Sequence, residues 1–310
     1  MTPPTPPAPM MSFARAMSDV MEASPFLPSA DLPVTTEELT EGHTAEVLSF
    51  LFERPLHTVC MAGLIRDNGL VSPHNRGTFY GCRNSEGRLE GVALVGHHTL
   101  VEARTPRASR EFALVAQCCT NPHLIMGELE KVEEFWGHYA DEGRPMRLAC
   151  RELLFELRRP VDAAGEVEGL RLAAPDDLDL IVPVQAHLVE LESRVNPLDT
   201  DPEGFRARCL RRIQMGRTWV IVDEGRLLFK AEVQADTPEV IYLEGVYVNP
   251  SVRGTGAGRK YMAELCRLMF ARTRTVCLLV NEENERAHRF YRSCGFKLRS
   301  VYDTIFLGAH

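Results

Sequence analysis

Lysine is scarce in this sequence. Lys131, Lys230, Lys260 and Lys297 are the only four among 310 residues, and the arginines that supply the remaining positive charge are scattered. The formal net charge is −8. Nucleic acids and anionic membrane surfaces are bound through cations clustered on one face, so neither is expected as a partner. No run of about 18 apolar residues occurs, which excludes a membrane-spanning helix. Met1–Pro9 carries no basic residue, and no secretory signal is expected there. Cysteine is plentiful, with nine, yet no two stand in a C-x-x-C pair. An odd, unpaired set in a chain of this length reads as small buried hydrophobes in a reducing cytoplasm. No metal set is expected: Cys118 and Cys119 have no histidine nearby, and on a strand His97 and His98 would point to opposite faces.

The length suits two domains. Residues 1–35, rich in Thr, Pro and Ala at the start, are expected to form a disordered leader. A first mixed unit is expected over 36–162, with helical periodicity from Glu38 to Leu70 broken at Pro55 and strands on either side of Asn84–Gly87. A linker around Arg159–Gly165 leads to a second unit over 166–310. There the pattern predicts helices over Pro175–Arg194 and Pro202–Gln214, and a hairpin closed at Asp223–Gly225. A strand over Ile241–Val248, a helix from Arg259, a strand over Val276–Val280, a helix over Glu283–Cys294 and a last strand follow. The halves read as diverged copies of one α/β plan.

Between the strand at Ile241–Val248 and the helix after it stands Arg253-Gly254-Thr255-Gly256-Ala257-Gly258. Successive backbone amides at a helix N-terminus converge on an anion, and glycine lets the anion come close. Arg253, Arg259 and Lys260 sit where the helix dipole already presents positive charge, an arrangement that favours a polyanionic ligand. No Gly-Lys-Ser/Thr closes the turn as in nucleotide hydrolases, and the spacing is not the Gly-x-Gly-x-x-Gly of dinucleotide-binding folds. The first half holds no such turn. At its corresponding place the sequence suggests Asn121–Gly127, with a single glycine.

Two motifs carry a family resemblance. Glu244–Gly258 resembles the acyl-CoA diphosphate loop and preceding strand of the GNAT N-acetyltransferases, and Asn284–Phe296 resembles their later Asn-x-x-Ala-x-x-Phe-Tyr-x-x-x-Gly-Phe helix. The likeness covers roughly residues 168–310. More loosely, the first half is similar to the GNAT-like domain of unknown function that precedes a complete GNAT domain in some bacterial proteins. The resemblance implies two tandem GNAT-like domains, each a mostly antiparallel mixed sheet flanked by helices. It also implies acetyl-CoA as cosubstrate without a metal, and an amine acceptor, small molecule or peptide.

Residue by residue, the amides of Arg253, Gly254, Thr255, Gly256, Ala257 and Gly258 are expected to hold the diphosphate, and Val246 and Val248 to pair with the pantetheine arm. An N–H near Val248 is expected to polarise the thioester carbonyl. Tyr291 shares a helix face with Ala287 and Asn284. In the family the matching tyrosine lies by the sulfur, which makes Tyr291 the expected general acid. Asn284 either bonds the pantetheine arm or caps its helix. Glu244 is a carboxylate in an otherwise apolar strand, costly without a partner, and reads as base or amine anchor, with a salt bridge to a neighbouring arginine as the rival reading. By strand alternation it would share a face with Val246 and Val248. Glu190, Glu192 and Tyr247 are weaker candidates for the acceptor pocket. The function expected is direct N-acyl transfer, the alternative a non-catalytic acyl-CoA-binding regulatory or scaffold protein.

Overall fold

The computed structural model describes residues 34–160 and 167–308. The leader expected over 1–35 therefore falls outside the described residues as far as residue 33, and so does most of the expected linker. In chain order the first half holds β1 (Thr35–Glu38), α1 (Thr44–Leu51), α2 (Pro55–Asn68), β2 (Gly77–Arg83), β3 (Leu89–Gly96), β4 (His98–Ala103), α3 (Pro106–Gln117), β5 (Leu124–Glu128), α4 (Leu129–Tyr139) and β6 (Met146–Leu157). The second holds β7 (Arg171–Leu172), α5 (Leu178–Ser193), α6 (Pro197–Thr200), α7 (Pro202–Gln214), β8 (Thr218–Asp223), β9 (Arg226–Asp236), β10 (Ile241–Val248), α8 (Ala257–Phe270), β11 (Val276–Asn281), α9 (Glu285–Ser293) and β12 (Lys297–Leu307). Pro55 breaks the first helical run as its spacing suggests, because proline is tolerated in a helix's first turn and not inside it.

The strands form one sheet in the order β1-β2-β3-β4-β5-β12-β6-β11-β10-β9-β8-β7. Each half is antiparallel except for one parallel pair, β4 with β5 and β10 with β11. The last strands cross over. β12 lies between β5 and β6, and β6 pairs with β11 of the second half. The sheets of the two halves are thus continuous, and neither is completed by its own strands.

Helices cover both faces. α8 and α9 pack on the second half through Met262, Leu265, Met269 and Tyr291, against Phe229, Ile241, Leu243 and Leu278. α5 and α7 bury Ile181, Ala186, Phe205 and Ile213 on the opposite face. α2 of the first half lies close on β9 of the second: a Cβ on Gly63 would stand 2.5 Å from the Cβ of Ala235, so only glycine fits. Val59, Ala235, Tyr242 and Tyr302 join the halves in one buried cluster.

The first half corrects the expectation for its turn. The segment between β4 and the next helix is Arg104-Thr105, not Asn121–Gly127, which runs into β5. Thr105 caps α3 by accepting from the Ala108 amide, and Pro106 at the first helical position removes a donor an anion would need. The neighbouring parting of β4 and β5 is filled with charge. Buried Glu102 accepts from Arg54 (3.0 Å) and Lys131 (2.6 Å), while Glu128 meets Arg54 at 2.6 Å and His57 at 3.0 Å.

The histidine expectation is corrected too. Residue 97 falls in a bend between β3 and β4, outside strand alternation, and its ring lies 5.1 Å from that of His98 and 4.7 Å from that of His123. Burial and neighbouring cations push His97 down to about 3 and His98 to about 4, which keeps both neutral near pH 7. Among the described residues no His, Cys, Asp or Glu group is placed to hold a metal ion, and no helix is long and apolar enough to cross a membrane.

Candidate functional site

β10 and β11 pair only at Ile241–Leu243 with Val276–Leu278. From Glu244 onward the strands part, leaving the β11-facing edge of β10 without a strand partner. On its other edge Glu244 lies opposite Glu232 and Tyr247 opposite Lys230, so β10 carries one extra residue there, a β-bulge. Gly245 takes φ +57 in the bulge, the left-handed region that glycine adopts without strain. Lys230, with no exposed surface, holds the bulge: its ammonium donates to Gly245 O (3.1 Å) and Gln185 Oε1 (2.5 Å) and pairs with Glu232 at 2.9 Å. The bulge resets alternation. Val246 and Val248 join Leu243 on the α8–α9 face, while Glu244 stays with Tyr242 on the opposite face, so the expectation that Glu244 shares a face with the valines is wrong. A glycine inside a strand was the sequence signal for this; nothing in the sequence pointed to Lys230.

Beyond β10 the chain makes a short turn, with Asn249 accepting from the Ser251 amide, and reaches Arg253. The Arg253 Nε donates to Val248 O at 2.7 Å, tying the turn to the strand end. Gly254 (φ +80) and Gly256 (φ +87) reverse the backbone, and a Cβ on either would meet nothing within 4 Å. Here glycine is required by conformation and leaves open space. Gly258 is required by contact, since its Cβ would sit 3.1 Å from Val248. Thr255 Oγ1 donates to Val252 O at 2.8 Å, and the amides of Gly258 and Arg259 find no acceptor among the described residues, as first-turn donors do. Free amides, two bare glycines and the dipole of a 14-residue helix make a place that can hold an anion.

On α9, Asn284 caps the helix by accepting from the Ala287 amide at 3.1 Å. Tyr291 packs among Phe155, Phe290 and Phe296, with only 8% of its surface exposed. Its hydroxyl has no hydrogen-bond partner among the described residues. Burial pushes the phenol above its ordinary range, and the charges of Cys294 and Glu192 add to the effect. Tyr291 shares its cluster with Val246 and Val248, whereas Glu244 is on the other face of the sheet. The two approach the parting strands from opposite sides.

On the Glu244 side a cavity of about 460 Å³ lies between the halves. Glu244, Glu152 of β6, Glu192 near the end of α5 and Asn281 of β11 line it. Desolvation raises all three carboxyls, Glu152 to about 7 and Glu192, although part of its surface is exposed, to about 8; the charge of Glu244 adds to the rise of both, and that of Glu232 to the rise of Glu244. Glu152 is held by Thr304 Oγ1 at 2.6 Å. Glu244 forms no ion pair among the described residues, and nearby Arg212 only moderates its rise. Glu190 is exposed and does not line the cavity; Tyr247 packs against the α5–α7 core. Glu152 was missed because it belongs to the first half by sequence and reaches this site only through the crossing of β6.

The tandem sheet thus has parting strands in each half, and only in the second half does a glycine turn that opens a helix follow them. Residues 186–296, within the second half of the chain, match the family model for the acetyltransferase (GNAT) family. Among solved structures, a GNAT-family acetyltransferase from Colwellia psychrerythraea is 14% identical, with 89% of this chain and 100% of that chain covered, at a TM-score of 0.56. A tandem GNAT protein from the clavulanic acid biosynthesis pathway is 15% identical over 90% of this chain and all of its own, with a TM-score of 0.55. A Drosophila protein reaches 0.60 at 12% identity, covering 88% of this chain and 98% of its own. At these identities the likeness is one of fold, and it extends the GNAT plan to the first half. No curated protein matches the sequence.

Proposed function

We propose that this chain transfers an acyl group, acetyl in the simplest case, from coenzyme A to a primary amine by direct attack. The second half, over 166–310, does the chemistry, and the first, over 36–162, shapes the acceptor site. The observation that carries this reading is a convergence at one place. β10 and β11 part beyond Leu243, the glycine turn follows the far end of the parted strand, and an acidic cavity reaches the same parting through Glu244 and Asn281.

When bound, the donor supplies an activated acyl carbon and a thiolate leaving group. The chain's residues do the rest. The amides of 253–258 with Arg253 hold the diphosphate, and the free edge at Val246 and Val248 takes the pantetheine amides as an added strand would. With its Oδ1 engaged in the cap, Asn284 offers its Nδ2 to the same arm. Glu244 takes the proton from the acceptor ammonium, directly or through water, or anchors it, and burial with the charge of Glu232 raises its basicity. Tyr291 protonates the departing sulfur. No cysteine or serine stands beside a base in these motifs, which favours attack without a covalent enzyme intermediate. Nine free cysteines agree with a cytoplasmic setting.

The test is release of free thiol from acetyl-CoA in the presence of a panel of primary amines. Amine-dependent release is expected. Donor binding with no release across the panel would replace this reading by that of an acyl-CoA-binding regulatory protein.

A further inference from the structure

The cavity that ends in carboxylates at the parting strands is cationic elsewhere. α7 presents Arg208, Arg211 and Arg212 to it, residues at i, i+3 and i+4 that share one helix face, and Arg76 joins them from the first half. Arg208 is neutralised by Asp201 at 2.8 Å. The other three form no ion pair with a carboxylate among the described residues. Arg211 donates to Asn68 Oδ1 at 2.9 Å and to the Met215 sulfur, and Arg212 to the carbonyls of Val233 and Gln234. The carboxylates of Glu152, Glu192 and Glu244 are likewise without an ion-pair partner among the described residues, although they line the same cavity.

Opposite charges lining one cavity would normally pair, the more so at the partly buried Glu152, Glu244, Arg211 and Arg212, where an unpaired charge drawn out of bulk water is costly. Here rigid elements keep them apart: Glu152 is on β6 and Glu244 on β10, while Arg211 and Arg212 are held to α7 by their own hydrogen bonds. Each set is left to meet a ligand group of the opposite sign. A guanidinium fork matches a carboxylate or phosphate with two parallel N–H donors.

We infer that the acceptor is a zwitterion, a primary amine that also carries an anionic group, with its ammonium at Glu244 and its anion at Arg211, Arg212 and Arg76. This rests on the acyl-transfer reading and narrows its substrate class to amines of the amino-acid or amino-phosphate type. The ammonium of an amine without an anionic group would satisfy the carboxylates and leave three guanidinium groups unanswered.

Matched pairs of acceptors test this on the unaltered protein. Thiol release is measured for ω-amino acids against the alkylamines of equal length, and for phosphorylated amino alcohols against the free amino alcohols. The member of at least one series that carries the anionic group is expected to exceed the twin that lacks it in kcat/KM by about tenfold or more, the lower end of what a charge-assisted hydrogen bond contributes. Whichever series shows the advantage identifies carboxylate or phosphate. Arg211→Gln and Arg76→Gln are each expected to shrink that ratio several-fold. Equal or better turnover, in both series, of the twins that lack the anionic group would overturn the zwitterion and leave acyl transfer standing. No thiol release with any amine would overturn both.

Discussion

The chemistry of the site turns on side chains that occupy unfavourable surroundings for a reason. Tyr291 buries a phenol whose hydroxyl has no partner among the described residues, beside strands that part. Tyr291→Phe keeps the ring packing and removes only the proton donor. The rate of acyl transfer is expected to fall about 10²–10⁴-fold, the range of a positioned general acid, with acetyl-CoA affinity by calorimetry unchanged within about twofold. A structural tyrosine would leave the rate intact. The charge of Glu244 acts on both Glu152 and Glu192, so the three carboxyls do not titrate independently. With Glu152 raised to about 7 and Glu192 to about 8, kcat/KM should climb with pH across the neutral range as the cluster becomes anionic. Stability should move the other way. Between pH 4.5 and about 7, folded Glu152 keeps a proton that the unfolded chain has lost, so the stabilisation present at low pH disappears as pH rises through the folded value. Glu152→Gln removes this dependence, and above pH 7 it should raise unfolding free energy by about 1–3 kcal/mol in denaturant titrations. A variant less stable than the parent above pH 7 would contradict the assignment.

The elements that place these residues were legible in unequal degree. Period and punctuation located α7 at Pro202–Gln214 and β10 at Ile241–Val248, because proline and aspartate mark the helix start and β-branched and aromatic residues fill the strand. The glycine turn was legible because its constraint is local: positive φ at Gly254 and Gly256 depends on no distant partner. The side on which Glu244 points was not legible, because the bulge at Gly245 is fixed by Lys230 on another strand and Gln185 on a helix. Lys230→Met should therefore cost about 3–5 kcal/mol, leaving Glu232 buried and unpaired, and the loss is read by chemical unfolding. Gly256→Ala is a milder test of the turn. A left-handed alanine costs about 1–2 kcal/mol, and acetyl-CoA affinity should drop as the amides turn away. Unchanged affinity would remove the diphosphate from this turn.

Across the whole molecule the decisive feature is the crossing of the last strands. Alternating patterns gave the halves, but strand order depends on pairings more than 140 residues apart in sequence, such as Glu152 with Tyr302. Because β12 completes the first half's sheet and β6 that of the second, a chain cut in the 161–166 segment should give halves that are unfolded or aggregated apart and regain structure when mixed, read by circular dichroism. Two independently folded pieces would contradict the continuous sheet. The crossing also explains how a first half whose own strand parting is filled by Arg54, Lys131, Glu102 and Glu128 still contributes Glu152 to the site beside β10. One measurement tests the account at its centre: a crystal structure of the chain with acetyl-CoA. The account predicts the diphosphate on the amides of 254–258 and the thioester where β10 and β11 part, between Tyr291 and Glu244. Acetyl-CoA in the first half's charged cleft, or lying away from that parting, would contradict it.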